Sequence, residues 1–581
     1  MKSLSYLQLK KNCARTPETP DGTRFALLGD CATQLLATAI RGYALEMNLP
    51  LRVFEADYDQ IDAQLMDTGS EFYAFAPETV LLYRCTEKLY ERFVRTPLDA
   101  RAAFAETEIE KIRAEWARVQ HGTKADILFF AFLPMDDGVF GSYALREGSA
   151  FPYQLLKLNY LLAEAAREAG NVRLIDLEPI RAHMGYDAFH DPKLYAIAKM
   201  PISTQALPAV ASRVVDAILA RKGRFHKCAI VDLDNTLWGG VIGDDGLEGI
   251  QIGELGQGHA FTEFQTWLKE LKNRGVMLAV CSKNDEANAK EPFLRHPEMV
   301  LKLDDFSAFV ANWEDKASNI RRIQKELNIG LDSMVFFDDN PFERNLVRTM
   351  LPEVEVPELP EDPAEYTAFA RMQNLFDTNS YSDEDRVRTE RYLAEKSRTE
   401  LNAGIDNYDD YLKALGMKAV CAPFDAFHIP RIAQLTQRSN QFNLRTVRYS
   451  EQEIEEIAAN PRYITRYYTL RDRFGEHGLI AVVILEKREN ELFVNEWLMS
   501  CRVLKRGMEQ FIADSILRAA REAGVARVVG EYIPTPKNAM VKDLYASMGF
   551  RPLGDGLYEA RVDDYRNHQT FITEEKPNDE G

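Results

Sequence analysis

Two aspartates that follow an apolar run at residues 228–231 have the spacing expected of a site for phosphorus chemistry. The run CAIV predicts a buried strand, and Asp232 and Asp234 come at its carboxyl end. Side chains at i and i+2 point to the same side of an extended chain. We therefore predict that Asp232 is the nucleophile toward phosphorus and that Asp234 is the acid or base for the oxygen that leaves or attacks. For this pair alone, the alternative is a strand that runs into an acidic turn.

Further polar residues close other apolar runs or begin a helix. Ser282 closes VMLAVCS, Lys316 lies in NWEDKASNI, and Asp338 with Asp339 closes SMVFFDD. Phosphoryl transfer needs hydrogen-bond donors and cations at the oxygens where negative charge collects. The residues predicted to bind phosphate are Thr236, Ser282, Lys283, Asn284 and Lys316. The predicted ligands of Mg²⁺ are Asp232, Asp338 and Asp339, with the main-chain carbonyl of Asp234. On their own, Ser282 would be a turn residue and Lys316 a surface lysine.

The order of these motifs resembles that of the haloacid dehalogenase (HAD) superfamily. Within residues 225–359, five segments resemble the FkbH-like group, class IIIC: CAIVDLDNTLWGGVIGDDGLEGIQIG, LAVCSKNDEANA, FLRHPEMVLKLDDF, NWEDKASNI and FFDDNPFERNLVR. The resemblance implies a Mg²⁺-dependent glyceryl transferase/phosphatase of polyketide and related pathways. Its small phosphorylated acyl substrate is 1,3-bisphosphoglycerate, whose three-carbon acyl unit moves to the phosphopantetheine thiol of an acyl carrier protein with loss of phosphate.

The space between the motifs predicts an open site. Only a small flap fits between Asp244 and Gly258, and only about one βα unit fits between Ser282 and Lys316. Neither insertion can hold a separate cap domain. An open site suits a large substrate, such as another protein or a long prosthetic arm.

Thioester formation calls for a thiol, because thiolates attack acyl phosphates readily. Cys281, beside Ser282, is the leading candidate, and a packing role in an apolar strand is the alternative. The segment around Ser333 mimics the phosphopantetheine attachment site of a carrier, but it leads into a predicted strand rather than a helix. We therefore expect the carrier to be a separate protein.

Before this region, residues 24–177 alternate apolar runs with helical stretches, which predicts a parallel sheet covered by helices. Gly29-Asp30-Cys31, Asn159 and the segment from Asp187 to His190 resemble the motifs of SGNH hydrolases, with cysteine in place of the serine. The resemblance implies a thiol triad of Cys31, His190 and Asp187. The alternative is a degenerate domain that serves packing or docking.

After residue 408 the pattern changes to long alternating strands followed by helices. The turn at residues 502–509 is basic, contains glycine and leads from a strand into a helix, which suits a pyrophosphate. With Gly549-Phe550 it resembles a GNAT acyltransferase, and the residues implied for pantetheine or CoA are Arg502, Arg506, Gly507, Asn538 and Tyr545. Glu509 departs from the pattern and would repel pyrophosphate, which favours the carrier's pantetheine arm over free CoA. Arg438, Arg445 and Arg448 are predicted to form a basic docking face for an acidic carrier.

We thus predict an α/β protein with a Rossmann-like HAD core and no large cap, between an SGNH-like or flavodoxin-like α/β domain and a GNAT-like α+β domain. The predicted segments are an SGNH-like domain (1–197), a connecting helix (198–224), the HAD domain (225–359), a helical linker (360–407), a GNAT-like domain (408–563) and a flexible tail (564–581). Three alternatives for function are a plain HAD phosphatase acting on a sugar or lipid intermediate, a GNAT-type acyltransferase with an accessory HAD domain, and a noncatalytic scaffold.

Composition excludes several classes of partner. The chain has 581 residues, with 71 basic and 90 acidic side chains and a net charge of −19, so we expect no nucleic-acid partner. Its 7 cysteines are well separated and form no CxxC pair, which argues against a disulfide framework and for a reducing cytoplasm. No signal peptide and no membrane-spanning run is evident, so we expect a soluble cytoplasmic protein without a membrane partner.

Overall fold

The computed structural model describes residues 4–378, 398, 401, 407–439, 441–500, 503–535 and 537–576. The chain divides into two compact units, Met1–Tyr381 and Ser382–Gly581. Among the described residues, none of the helices is long and apolar enough to cross a membrane.

Unit 1 begins with a five-stranded parallel sheet in the order β2-β1-β3-β4-β5. Its strands are β1 (Thr23–Gly29), β2 (Leu51–Glu55), β3 (Thr79–Tyr83), β4 (Asp126–Phe130) and β5 (Val172–Ile175). The parallel sheet predicted from the alternation of apolar runs and helical stretches is confirmed. They are apolar almost throughout because helices cover a parallel sheet on both faces.

A second parallel sheet of unit 1 has the order β8-β7-β6-β9. Its strands are β6 (Cys228–Val231), β7 (Met277–Ser282), β8 (Phe306–Ala311) and β9 (Met334–Phe337). The sequence MVLKLDD at residues 299–305 predicts a further strand, but this prediction is wrong, because the stretch ends in a 3₁₀ turn, Leu303–Asp305. The Asp305 carboxylate accepts the Lys302 N–H at 2.8 Å and binds Lys269 Nζ, so it fixes the turn, and the strand starts only with the apolar FSAFVA.

The helices of unit 1 connect these strands. They are α1 (Tyr6–Arg15), α2 (Gln34–Glu46), α3 (Ile61–Met66), α4 (Glu71–Phe75), α5 (Thr86–Arg95), α6 (Phe104–Gly122), α7 (Phe151–Ala169), α8 (Glu178–Met184), α9 (Tyr186–Phe189), α10 (Pro192–Ala198), α11 (Leu207–Arg221), α12 (Ile242–Gly249), α13 (Gly258–Asn273), α14 (Glu286–Arg295), α15 (Lys316–Leu327), α16 (Pro341–Met350) and α17 (Tyr366–Met372). The predicted connecting helix between the two sheets is α11.

The segment 372–377, after α17, contacts elements around both sheets of unit 1. Arg213 of α11 donates to Met372 O at 2.9 Å, and Asn374 donates to Asp216 of the same helix at 3.0 Å. Arg274, after α13, donates to Phe376 O at 2.6 Å, and Arg173 of β5 pairs with Asp377. Leu375 and Phe376 are buried in the core of the second sheet. Residues beyond 359 therefore still belong to the packing of this sheet.

Unit 2 contains one mixed sheet in the order β15-β16-β14-β13-β12-β11-β10-β17. Its strands are β10 (Lys418–Ala422), β11 (Tyr463–Asp472), β12 (Gly475–Arg488), β13 (Glu491–Met499), β14 (Arg527–Glu531), β15 (Arg551–Gly554), β16 (Leu557–Arg561) and β17 (Thr573–Glu575). Its helices are α18 (Tyr408–Leu415), α19 (Ile429–Arg438), α20 (Glu451–Ala459), α21 (Met508–Glu522) and α22 (Leu544–Ser547).

Two features of this sheet bear on the predictions. The parallel pairing of β13 with β14 ends at Val494 and Gly530, and β13 continues by bonding to Leu444, whose N–H donates to Trp497 O at 3.3 Å. The prediction that residues 564–581 form a loose tail is wrong for β17. This strand pairs with β10, and the Thr573 N–H donates to Met417 O at 3.0 Å. Its two glutamates, Glu574 and Glu575, form ion pairs with Arg518 and Lys418.

Candidate active site

The second sheet of unit 1 brings four sequence motifs to one edge. Asp232 follows β6, Ser282 ends β7, Lys316 begins α15 after β8, and Asp338 follows β9. Because all four strands are parallel, their carboxyl ends meet at the same edge. A polar residue at the end of each apolar strand therefore reaches this edge, and side chains as far apart in sequence as Asp232 and Asp338 come together.

Lys316 lies between two carboxylates at the centre of this edge. Its Nζ is 2.6 Å from Asp232 Oδ2 and 2.5 Å from Asp338 Oδ2, and the side chain is buried. Burial disfavours the charged form of Lys316, but the two neighbouring carboxylates of Asp232 and Asp338 outweigh this effect and raise the pKa of Lys316. Lys316 is a fixed positive charge in the core of the site, which is what a bound phosphoryl group requires.

Three carboxylates form a candidate cation site. Asp232, Asp338 and Asp339 each present one ligand atom, and these atoms lie within 4.8 Å of one another. Burial and the neighbouring Asp232 raise the pKa of both Asp338 and Asp339. Asp232 Oδ1 is buried and has no hydrogen-bond partner among the described residues. Hard oxygen donors that one lysine only partly neutralises fit a cation such as Mg²⁺.

The Asp234 side chain faces a different set of partners. Its Oδ1 accepts from Trp238 Nε1 and from the Ile242 N–H, both at 3.0 Å, and its Oδ2 accepts from Asn284 Nδ2 at 3.0 Å. Burial raises the pKa of Asp234, which favours a role in proton transfer. Asn284 thus orients Asp234, whereas the sequence predicted that it binds phosphate. Sequence reasoning missed Trp238, although its place four residues after Asp234 was a usable signal.

Two more groups hold the metal-binding edge in place. The Thr236 hydroxyl accepts the Asp339 N–H at 3.1 Å and lies 3.4 Å from Asp339 Oδ1, so it positions this carboxylate. Arg344, which the sequence did not single out, donates to the main-chain oxygens of Asp338 at 2.8 Å and Asp339 at 2.6 Å. Lys283, predicted to bind phosphate, pairs with Glu343 Oε1 at 2.6 Å and keeps about a third of its side chain exposed.

Cys281 does not have the surroundings of a reactive thiol. Strand alternation points it away from Ser282. It is fully buried, and its Sγ donates to Lys316 O at 3.8 Å. Burial raises the pKa of this thiol strongly. Because the thiolate is the nucleophile, these surroundings contradict the prediction that Cys281 carries the acyl group and favour the packing alternative.

The mouth of the site is open, as the spacing predicted. The insertion after β6 is a small flap in which Gly239 bridges to Gln251 around α12. No cap domain occurs within residues 4–378. Trp313, three residues before Lys316, is 77% exposed, and Phe342, three residues after Asp339, is 69% exposed. Trp313 lies in the loop before α15 and Phe342 in the first turn of α16, so two large apolar side chains are exposed near the residues of this site.

The thiol triad predicted in the first sheet is not assembled as expected. His190 Nδ1 donates to Pro201 O at 2.8 Å, and the nearby acid, at 3.6 Å, is Glu87 rather than Asp187, which is exposed on α9. Cys31 is 99% buried beside Cys85 and lies outside the cleft that His190 lines. Asn159 binds the main chain of Phe132 through both its amide nitrogen and its oxygen. The sequence could not show Glu87, because α5 follows a different strand.

In unit 2, the residues predicted for pantetheine are mostly used internally. Arg506 is buried, with its Nη1 3.7 Å from Asp472 and 3.3 Å from His477 Nε2. Gly507, with φ of 88°, starts α21, while Arg502 lies outside the described residues. Glu509 Oε1 accepts the Lys505 N–H at 2.9 Å, so a carboxylate already occupies part of this turn.

Asn538 and Tyr545 also serve the interior of unit 2. Asn538 is fully buried, and its Nδ2 donates to Asn443 O at 3.0 Å and Ile533 O at 2.9 Å. Tyr545 is buried and packs edge-on against Trp497, with ring centroids 5.9 Å apart. The prediction that these two side chains line a pantetheine site is therefore wrong for Asn538, whose amide closes a loop. Tyr545 instead faces a buried cluster around β13.

The predicted basic docking face is largely taken up by contacts within the chain. Arg445 Nε donates to Glu531 Oε2 at 2.8 Å, and its Nη1 donates to Asn495 Oδ1 at 2.6 Å. Arg448 also has a partner within the chain, and the side chain of Arg438 lies outside the described residues. Arg445 therefore links Asn495 of β13 with Glu531 of β14.

Glu496 on β13 was missed by sequence reasoning. It is fully buried, and both carboxylate oxygens lack hydrogen-bond partners among the described residues, as do Trp497 Nε1 and Tyr545 Oη. Burial raises the pKa of Glu496 to about 8. The available signal was one acidic residue inside the apolar run LFVNEWLM. Such a group can take up or release a proton at neutral pH.

The Glu496→Gln variant is expected to remove a pH dependence of stability. Native Glu496 holds its proton up to a pKa of about 8, whereas a glutamate in the unfolded chain releases it near 4.5. The native state therefore binds the extra proton in this window, and its free energy of unfolding falls as pH rises from about 4.5 to 8, by about 1.4 kcal/mol per unit of pKa difference. Urea unfolding at pH 5 and pH 8.5 measures the loss.

The matched control for this experiment is Glu489→Gln, at an exposed position of the hairpin after β12. The control is expected to keep the pH dependence of the wild type, while Glu496→Gln flattens it. Equal pH dependence in all three proteins would mean that Glu496 ionises in the native state as freely as in the unfolded chain.

Comparisons with known proteins support the architecture around the site. Residues 24–219 match the family model described as FkbH, N-terminal domain. The solved N-terminal part of the protein BF1531 from Bacteroides fragilis, containing a phosphatase domain complexed with Mg, is 46% identical to this chain. The match covers 65% of this chain and 100% of that one, with a TM-score of 0.62. No curated protein matches the chain.

Two acetyltransferases of known structure are similar to a smaller part. The ribosomal-protein-S18-alanine N-acetyltransferase from Escherichia coli is 17% identical over 25% of this chain and 94% of its own, with a TM-score of 0.20. The GNAT domain of S. lividans PAT is 16% identical over 24% of this chain and 89% of its own, also with a TM-score of 0.20. Likenesses of this size say nothing about the chemistry of unit 2.

Proposed function

Since the chain belongs to the FkbH family and is an enzyme of the HAD phosphatase type, we propose that it is a Mg²⁺-dependent glyceryl transferase/phosphatase. In this proposal it transfers the acyl unit of 1,3-bisphosphoglycerate to the phosphopantetheine thiol of a separate acyl carrier protein and removes phosphate. The observation that carries the phosphate half is the free, buried Oδ1 of Asp232 beside the Lys316 ammonium group.

Asp232 and Asp234 divide the phosphate chemistry between them. Asp232 Oδ1 attacks the phosphorus of a phosphate ester, the bond from phosphorus to the ester oxygen breaks, and protonated Asp234 gives its proton to that oxygen. Water then attacks the phosphorus of the phosphoryl-aspartate, Asp234 takes up the proton, the bond from phosphorus to Asp232 Oδ1 breaks, and inorganic phosphate leaves. The three donors around Asp234 fix its carboxyl group for both steps.

Lys316 and the three carboxylates of the candidate cation site set the charge around the phosphoryl group. The Lys316 ammonium group, already 2.6 Å from Asp232, attracts the phosphoryl oxygens. Asp232, Asp338 and Asp339 would hold Mg²⁺, which when bound offsets the charge of the phosphoryl group and of the carboxylates. Thr236 and Arg344 keep Asp338 and Asp339 at this edge.

For the acyl half, we place the nucleophile on the carrier. Its thiolate attacks the acyl carbonyl of the mixed anhydride, the C–S bond forms, the C–O bond to phosphate breaks, and inorganic phosphate leaves. Cys281 is fully buried with a raised pKa, so a thiol brought in on a long arm fits the open mouth better.

Trp313→Ala tests whether the exposed rim contributes to carrier binding. The side chain is 77% exposed, so its removal is expected to leave folding intact and to raise KM for the carrier about tenfold or more, as for aromatic residues central to interfaces. Hydrolysis of a small aryl phosphate serves as the internal reference, because it needs no partner and should stay within about twofold. An unchanged KM for the carrier would remove Trp313 from the interface.

Intact-mass measurement of a carrier protein tests the acyl half. After incubation with the enzyme, Mg²⁺ and 1,3-bisphosphoglycerate, the holo carrier is expected to gain one glyceryl unit, whereas the apo carrier, without the thiol, gains none. No glyceryl on the holo carrier, together with hydrolysis of simple phosphate esters, would contradict the transfer.

A plain HAD phosphatase acting on a sugar or lipid intermediate is the second candidate. It is favoured by the burial of Cys281, because the site then contains every group needed for hydrolysis and no reactive thiol. The carrier experiment separates the two functions. The proposal of an acyltransferase with a merely accessory HAD domain is disfavoured by the assembled edge of Asp232, Lys316 and Asp338.

A further inference from the structure

Two cysteines follow adjacent strands of the first sheet at matching positions. β1 and β3 run parallel with Gly29 opposite Tyr83, so Cys31 and Cys85, each two residues further on, reach the same level. The chain returns from β2 on one side of β1 to β3 on the other. This is the point of a doubly wound sheet where the connections diverge and leave a crevice.

The two thiols lie close together in the core of the first sheet, next to one buried carboxylate. Their sulfur atoms and one carboxylate oxygen of Asp30 lie within 4.8 Å of one another. Asp30 Oδ1 accepts the Cys85 N–H at 2.8 Å, which ties the loop after β3 to the end of β1. Cysteines that only fill an apolar core need neither a thiol partner nor a buried carboxylate.

The main chains are still paired one residue before Cys31, because the Asp30 N–H donates to Tyr83 O at 3.0 Å. Neighbouring parallel strands lie about 4.8 Å apart, and disulfides join residues whose Cα atoms are about 4.4–6.8 Å apart. The other described cysteines have different surroundings. Cys13 Sγ contacts Thr38 O at 3.4 Å and Cys281 Sγ contacts Lys316 O at 3.8 Å.

A metal ion fits this cluster less well. Asp30 Oδ2 lies 3.8 Å from Arg84 Nη1 and 3.6 Å from Arg92 Nη1. Arg84 also pairs with Glu115 and Arg92 with Glu108, so Asp30 is held by ion pairs that a bound cation would have to break. They do not oppose a neutral product such as a disulfide.

Cys85 is itself only 2% exposed, but unlike Cys281 it borders a cleft. Cys85 lines a cleft of about 510 Å³ at the carboxyl ends of β3, β4 and β5, together with Glu87 and His190. Cys31 does not line this cleft and lies behind Cys85. A small oxidant therefore meets Cys85 first, and Cys31 is placed to resolve the product.

We propose that Cys31 and Cys85 are a site of reversible thiol oxidation that takes a hydroperoxide and forms a disulfide across the ends of β1 and β3. Cys85 sulfur attacks the peroxide, an S–O bond forms, the O–O bond breaks and water or an alcohol leaves. Cys31 sulfur then attacks Cys85, the S–S bond forms, the S–O bond breaks and a second water leaves. The two thiol protons end in these products, so the two sulfurs are oxidised and the peroxide is reduced.

Peptide mapping of the full-length protein tests this site. The protein is treated with hydrogen peroxide, its remaining thiols are blocked with N-ethylmaleimide, and it is digested with trypsin without reductant. Cys31 lies in the tryptic peptide of residues 25–41 and Cys85 in that of residues 85–88. The expected product is these two peptides joined, lighter by two hydrogens than their sum, and separated again by dithiothreitol.

Variants assign the linkage without depending on enzyme activity. Cys31→Ser and Cys85→Ser should each abolish the joined peptide, and Cys85→Ser should leave Cys31 unoxidised, since the first attack is lost. Cys13→Ser, at a half-exposed site in α1, should leave the joined peptide at the wild-type level. If a serine variant fails to fold, peptide mapping of the wild-type protein alone still shows whether Cys31 and Cys85 form a disulfide. Oxidation of the peptide of residues 12–15 without the joined peptide, or a different pair of linked cysteines, would overturn the proposal.

Discussion

Asp232→Asn is expected to lower phosphate release from an aryl phosphate by at least about 10³-fold, because an amide oxygen cannot replace the carboxylate as nucleophile. The native fold should persist, since the amide oxygen still accepts from Lys316 Nζ, 2.6 Å away. The loss should appear in kcat, while the Tm stays close to that of the wild type or rises. Phosphate release and thermal unfolding measure the two effects.

Asp244→Asn is the matched control, because this flap aspartate is exposed and the exchange is chemically the same. It should retain activity within about twofold. If Asp232→Asn also retained activity, the nucleophile would have to be a different residue.

Lys316→Met is expected to reduce both activity and stability. The ammonium group is 2% exposed and contacts two carboxylates, so its loss leaves Asp232 and Asp338 uncompensated. Breaking a buried ion pair in this way costs about 3–5 kcal/mol, and loss of a charge at the phosphoryl group costs about 10²–10³-fold in kcat. Urea unfolding with EDTA and with Mg²⁺ measures stability, and the loss should be smaller with Mg²⁺.

Two further variants separate the causes in this experiment. Lys325→Met changes an exposed lysine of the same helix and should leave both properties near those of the wild type. Adding Asp338→Asn to Lys316→Met removes one uncompensated carboxylate and should restore part of the stability in EDTA without restoring activity. A double variant no more stable than Lys316→Met would show that charge repulsion is not the cause of the loss.

The arrangement of the phosphate site could be predicted because its signals are local. Each catalytic residue closes an apolar run or begins a helix, and parallel strands bring such positions to one edge. Asp232, Ser282, Lys316 and Asp338 therefore meet as the order of the runs suggests. The strand β8 was misplaced because residues 299–305 are as apolar as a strand, and only the pairing of Asp305 with Lys269 shows a turn.

The contacts that were not predictable join distant parts of the chain. The meeting of Cys31 with Cys85 depends on which strand lies beside β1, and nothing within either segment records that neighbour. The hydrogen bonds of Asn538 and the burial of Glu496 likewise depend on the course of the segment near Leu444. Residue type alone could not separate a ligand-binding Asn538 from one that closes a loop.

The segment 372–377 connects the sheet that holds the phosphatase site with the first sheet of unit 1. Its main chain and side chains accept or donate bonds with β5 and α11 on one side and with Arg274 and His226 on the other. Just upstream, the Tyr366 hydroxyl donates to the main-chain oxygen of Asn235, beside Asp234. Loosening of the first sheet can therefore reach the loop that positions Asp234, and we expect the two sheets of unit 1 to unfold together.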